Sequence, residues 1–168
     1  VGTDIHIFIE YKVGDGPWFA DKNHVMGKDG YVNEATANGR DYDLFGALAG
    51  VRNQCDYDAR PKGLPNDLSE LLKTQLHFIN EFHSQSWHSL KDFKKIYRKL
   101  YSGKRAAKRL KDAVPEAFRD YSLTFDNLIT YCEKQVKLLQ FEAQAEKYLL
   151  NLDISDAVRC RLVYFFDS

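Results

Sequence analysis

Asp4, His6, Phe8 and Glu10 occupy alternate positions near the start of the chain. In an extended segment, alternate side chains share one face at a spacing of about 7 Å. Two carboxylates and an imidazole so placed can hold a divalent cation or move a proton. A solvated strand face would carry the same acids, although it would rarely include Phe8. A second group is His83-Ser84-Gln85-Ser86-Trp87-His88. Imidazoles and hydroxyls beside an indole suit a nucleobase or a sugar phosphate. A helix–helix turn with Ser caps and a core Trp would explain the same six residues.

Arg40-Asp41-Tyr42 and Arg52-Asn53 form a third group. Guanidinium forks grip phosphate or carboxylate bidentately, or pair with the many Asp residues nearby. Asp167 joins Asp4 or His6 if the first and last segments pair. The fourth group is a basic stretch over residues 91–111. It includes Lys94, Lys95, Arg98, Lys99 and Arg105, interleaved with Tyr97 and Tyr101. On a helix these form a surface for nucleic acid or an acidic partner, or simply a wet face.

The elements that must position these groups follow from periodicity. Residues 3–12 alternate strictly, with Thr3, Ile5, Ile7, Ile9 and Tyr11 opposite the polar row, so a strand is expected. Gly14-Asp15-Gly16-Pro17 is turn chemistry and Trp18-Phe19-Ala20 returns, which makes a hairpin. Residues 21–41 lack a period and read as a loop. Asp41 or Asp43 caps a short helix ending near Ala49. Asn66 or Asp67 opens a helix carried by Leu68, Leu71, Leu72, Leu76, Ile79 and Phe82. Ser89-Leu-Lys-Asp92 is a capping-box pattern for the next helix. Gly103 breaks it, and a basic helical stretch over 104–113 ends at Pro115. Ser122 or Thr124 starts a long helix to about Leu150, one arm of a helical hairpin. Residues 158–166 are rich in β-formers and read as a terminal strand paired with the first. The expected fold class is α+β. A small antiparallel sheet from both ends of one domain, 1–168, packs with a helical block.

Composition bounds the function. The chain has 168 residues, 44% hydrophobic and 29% charged, which excludes wholesale disorder. Its 24 basic and 24 acidic residues cancel, yet they are segregated. Residues 91–111 hold 10 basic residues and one acid, while 1–90 hold 8 and 13, and 112–168 hold 6 and 10. A neutral total therefore conceals a basic segment between acidic flanks. The three cysteines have no zinc-type or disulfide spacing. No Walker loop, dinucleotide fingerprint, nucleophile elbow or zincin motif is present. The chain opens without a basic-then-apolar leader and has no apolar run of membrane-spanning length, so a cytoplasmic protein with no membrane partner is expected.

Five ordered blocks carry a resemblance: Gly2-Thr-Asp-Ile-His6, Arg40-Asp-Tyr-Asp-Leu-Phe45 through Val51-Arg52-Asn53, Lys62-Gly-Leu-Pro65-Asn-Asp-Leu-Ser69, His83-Ser-Gln-Ser-Trp87 and Val163-Tyr-Phe-Phe-Asp167. Together they resemble a family of small proteins encoded by tailed phages and prophages. The blocks cover roughly 1–90 and 158–168, and 91–157 reads as an insertion of this chain. At Gln85 the family pattern often has a second His. The resemblance implies an accessory, counter-defence protein in the cytoplasm of an infected bacterium.

It further implies a pocket assembled from distant segments for a nucleotide-type small molecule. Asp4, His6, His83 and Asp167 would be the catalytic candidates. Phe8, Arg40, Tyr42, Arg52, Asn53, Ser84, Ser86 and Trp87 would bind the ligand. Capture needs no cofactor, hydrolysis allows a divalent metal, and a homo-oligomer is compatible with either. The different-class alternative is an inhibitor of a host defence component, acting on protein or nucleic acid through Lys94, Lys95, Arg98, Lys99 and Arg105.

Overall fold

A computed structural model describes residues 2–21, 40–101 and 115–168. Strand β1 (Asp4–Val13) and strand β4 (Val158–Asp167) pair antiparallel over their whole length, from Asp4 opposite Asp167 to Val13 opposite Val158. Strand β2 (Phe19–Ala20) returns beside β1, and β3 (His83–Ser89) lies on the far side of β4. The sheet order is β2-β1-β4-β3, all antiparallel. The α+β expectation and the pairing of the chain's two ends therefore hold.

Alternation sends Ile5, Ile7, Ile9 and Tyr11 to one face with Leu162, Tyr164 and Phe166. Helices α1 (Tyr42–Ala49), α4 (Leu90–Leu100) and α5 (Pro115–Leu149) cover that face. Phe8, Val163 and Phe165 point the other way, and Leu68, Leu72 and Ile79 bury them. A sheet covered on both faces explains why β4 reads as a near-continuous apolar run. The row Asp4-His6-Phe8-Glu10 is therefore not a solvated face. Phe8 is core, and Glu10 is fully buried.

Glu10 survives there because Arg161 meets it across the ladder. Arg161 Nε donates to Glu10 Oε1 at 2.7 Å, and the Ser69 amide donates to Oε2 at 2.7 Å. Arg161 also reaches Asp67 Oδ1 at 2.7 Å and lies 3.9 Å above the centre of the Trp18 ring, whose Nε1 donates to Asp67 Oδ2 at 3.0 Å. Asp67 is thus an ion-pair partner, not the expected helix cap. Ser69 caps α2 (Glu70–Thr74) instead.

The apolar series 68–82 does not make one helix. It forms α2 and α3 (Leu76–Ile79), interrupted at Gln75, which caps α2. The break lets Leu72 and Ile79 both lie flat on the sheet. The six residues expected as a helix–helix turn are strand β3. Ser86 and His88 are buried on one side, and Trp87 joins the opposite core. The Gly63 amide donates to the Gln85 carbonyl at 2.8 Å, which occupies part of β3's outer edge.

Asp41 caps α1 through the Leu44 amide, and Gly50 ends it in the left-handed region (φ 70°) that favours glycine. Ser89 caps α4 by accepting from the Asp92 amide at 3.1 Å, as the capping-box reading expects. Phe93, Tyr97 and Leu100 face inward as expected. Pro115 opens α5, which suits a residue with no N–H to bond. Lys94 pairs with Glu133 at 2.8 Å and Tyr97 lies against Phe125 at 6.4 Å, so α4 and α5 run antiparallel. The far half of α5 extends past the core and exposes Leu138, Phe141, Tyr148 and Leu149. The break at Gly103 and the basic stretch 104–113 lie outside the described residues, as does most of the expected loop 21–41.

Removing one partner of a buried ion pair leaves an uncompensated charge. Arg161→Met should lower unfolding free energy in urea by about 3–5 kcal/mol, and adding Glu10→Leu should restore much of it. A single variant as stable as the parent would contradict the buried pair.

Candidate functional site

One end of the sheet gathers the start of β1, the end of β4 and the start of β3. Register alone puts Asp4 beside Asp167, and His6 Nε2 lies 2.9 Å from Asp167 Oδ2. The Asp4 amide donates to Asp167 Oδ1 at 3.3 Å. Phe82 and Phe165 flank the His6 ring at centroid distances of 4.9 and 5.5 Å, which fixes its plane. A carboxylate on one nitrogen and aromatic walls around the ring make an oriented imidazole. That is the arrangement a general base or a fixed hydrogen-bond donor needs.

Arg40 forks onto Asp4, with Nε at 2.8 Å from Oδ1 and Nη2 at 3.3 Å from Oδ2. This guanidinium holds the Asp4 carboxyl below its ordinary range. Both side chains are about half exposed, at 51% and 49%, so the pair is accessible and exchangeable. Gly2 makes room for it, since a Cβ there would overlap the Arg40 guanidinium. Arg52 Nε donates to Thr3 Oγ1 at 2.9 Å and its guanidinium lies 5.8 Å from the Tyr42 ring centre. The Tyr42 hydroxyl accepts from the Thr3 amide at 3.2 Å. Thr3 Oγ1 continues to Ser168 Oγ at 3.1 Å, and Ser168 Oγ to His83 Nε2 at 2.9 Å. His83 Nδ1 is 2.9 Å from Ser84 Oγ.

One cluster thus contains Asp4, His6, Arg40, Tyr42, Arg52, His83, Ser84 and Asp167, held in two hydrogen-bond chains that adjoin at Thr3–Asp4 and Asp167–Ser168 and drawn from five separate stretches of chain. Two of its members hold strained backbone. Arg52 (φ 51°) and Ser84 (φ 57°) are non-glycine residues in the left-handed region. Such strain persists only where the surroundings impose it and is concentrated at functional sites. At Ser84 it accompanies an irregular register between β3 and β4.

The remaining candidates lie elsewhere. Phe8 is buried under α2 and α3 and offers no stacking face. Asn53 is engaged with the Tyr57 backbone through both its oxygen and its nitrogen. Ser86 is buried and accepts from the Lys62 amide at 3.1 Å. Gln85 donates to the Phe82 and Ile79 carbonyls. Trp87 sits at the opposite end of β3, in a separate cleft. Lys94 is paired with Glu133, Lys95, Arg98 and Lys99 are exposed on α4, and Arg105 lies outside the described residues. Among the described residues no three His, Cys, Asp or Glu side chains are grouped to share a metal ion. No helix among them is long and apolar enough to cross a membrane.

Sequence reasoning missed Trp18, Asp67, Arg159 and Arg161. The available signal was Arg159-Cys-Arg161 inside an apolar strand, because a buried guanidinium requires an acid opposite. No family model, curated protein or solved structure matches the chain.

His88 lies on the covered side of β3. Burial, aided by the Lys62 charge, lowers its pKa to about 4. Its Nδ1 is 2.8 Å from the Tyr164 hydroxyl, itself 3.2 Å from the Leu48 carbonyl. A histidine depressed in the fold costs stability as pH falls from its unfolded value of about 6.5, where the unfolded chain begins to bind the proton first. Stability should drop by about 2 kcal/mol between pH 7.5 and pH 5 and level off near pH 4 for this group. Urea melts of the parent and His88→Asn across that range check it, and an equal slope in both would contradict the assignment.

Proposed function

We propose that the sheet-end cluster binds a nucleotide-type small molecule and that its basic function is capture. One observation carries the reading. Two guanidinia, two imidazoles and a phenol ring from distant parts of the chain meet at one end of the sheet in two adjoining hydrogen-bond chains, with strained backbone at Arg52 and Ser84. Arg40 and Arg52 supply forks for phosphate or carboxylate groups. An anionic group displaces the Asp4 carboxylate from Arg40 at little cost, because that pair is half exposed. His6, His83 and Ser84 supply directional hydrogen bonds for ribose or amine groups. The Tyr42 ring adds an apolar edge.

The His6–Asp167 contact favours a second reading, hydrolysis. Asp167 would hold the imidazole in one tautomer, and His6 would take a proton from water attacking a phosphoryl or glycosidic centre. The resemblance to phage-encoded proteins gives capture or cleavage a biological setting. Either removes a nucleotide signal on which a host defence depends.

A panel of linear and cyclic nucleotides tests this by thermal shift. A ligand at a hundredfold excess over Kd stabilises by about 2.7 kcal/mol, or roughly 5–10 °C for a chain of this size. Arg40→Ala/Arg52→Ala should remove the shift. Ligand released by heat and analysed by mass should be intact under capture. Under hydrolysis it should be cleaved by the parent and intact with His6→Ala. No shift with any nucleotide would overturn the proposal.

A further inference from the structure

A cleft of about 750 Å³ opens at the other end of the sheet, where β4 begins and β3 ends. The chain's two tryptophans, Trp18 and Trp87, both line it. Leu64, Leu90 and Val136 add apolar wall. Four cations line it too, and they differ in kind. Arg161 is buried and held by Glu10 and Asp67. Lys62, Lys91 and Arg159 are exposed, and among the described residues none has an acid within ion-pair distance. Lys62 rests 4.5 Å above the Trp87 ring, and Arg159 lies 5.3 Å from Trp18. The first turn of α4 also opens here, adding the positive end of a helix dipole.

A second cavity of about 370 Å³ shares Lys62 and is lined further by Lys95 and Lys99. Lys91, Lys95 and Lys99 recur every four residues, so they form one row along α4 with a rise of about 6 Å per step. Asp92 is the acid beside them, and His88 in the same wall is neutral above about pH 4. A site for one phosphate gathers cations around a point. These cations extend in a line away from an indole face, as a polyanion with flat pendant groups requires. A duplex hides its base faces, and an acidic peptide has no use for the indole.

We propose that the cleft and the lysine row form a second binding site, for a short single-stranded nucleic acid. One base stacks on Trp87, and phosphates follow Lys62, Lys95 and Lys99. Lys62 leaves the indole face for a phosphate. That exchange is favourable because base–indole stacking exceeds an exposed cation–π contact.

Intrinsic fluorescence reads this site directly, since both tryptophans are in it. Titration with an eight-residue oligothymidylate at low salt should quench emission saturably. Lys95→Ala/Lys99→Ala should raise Kd at least tenfold for the octamer. It should leave the binding of a thymidylate dinucleotide, titrated in parallel, unaffected and make the octamer's log K against log salt slope shallower by about 1.4. Lys62→Ala/Arg159→Ala should weaken both ligands. Circular dichroism of these surface variants should match the parent. Absence of quenching, unchanged octamer affinity in both double variants, or equally tight binding of duplex or polyglutamate would each overturn the proposal. Nucleotide-induced thermal shifts at the sheet end are a separate readout that Lys95→Ala/Lys99→Ala should not move, so the two readings fail independently.

Discussion

The ten-residue ladder between β1 and β4 is the constraint on which the rest of the structure depends. It joins residues more than 140 positions apart and is buried on both faces. Every side chain along it therefore has an assigned side. Ile5, Ile7 and Ile9 go with Leu162 and Tyr164 under the helices, while Phe8 goes with Val163 and Phe165 under α2 and α3. A slip of one residue would exchange these two sets and bring Glu10 and Arg161 to the wrong core. The Glu10–Arg161 pair, fully buried and bonded across the ladder, thus acts as a register pin as well as a cost.

The two ends of this ladder carry different electrostatics. At the end where β1 begins, Arg40 pairs with Asp4 and the His6 ring bonds to Asp167. At the other end Arg161 is matched, whereas Lys62, Lys91 and Arg159 face a cleft walled by indoles. The two ends thus differ in local charge although the chain's net charge is zero. Lys62 comes from the segment before β3, and Lys91, Lys95 and Lys99 come from α4. The lysine row of α4 and Lys62 meet at one surface.

Much of the fold was legible because apolar period alone specifies it. β1 alternates, β4 is apolar from Leu162 to Phe166, and Ser89 with Asp92 marks the start of α4. β3 was not legible, because a strand of His, Ser, Gln and Trp has no apolar alternation to read. Its buried members are Ser86 and His88, whose polarity is met by Lys62 and Tyr164 from elsewhere. The continuous helix expected over 68–82 failed for a related reason. Leu68, Leu72 and Ile79 follow the flat surface of a sheet rather than the stripe of another helix. Individual site residues stood out by type, yet their grouping did not. His83 reaches Thr3 and Arg52 only because β3 lies beside β4 and Ser168 bridges them. Trp87 leaves that group because it lies four residues farther along the same strand.

The His6 and His83 imidazoles occupy the same end of one sheet. Nuclear Overhauser contacts of the isotopically labelled protein test it most directly. Cross-peaks are expected from the His6 ring to the Phe82 and Phe165 rings, and from the His83 ring to Phe166. Interstrand backbone contacts are also expected along the Trp87–Val163 and Phe8–Val163 pairs. Sequential amide contacts of a helix–helix turn through residues 83–88, with no His83 contact to Phe166, would contradict it.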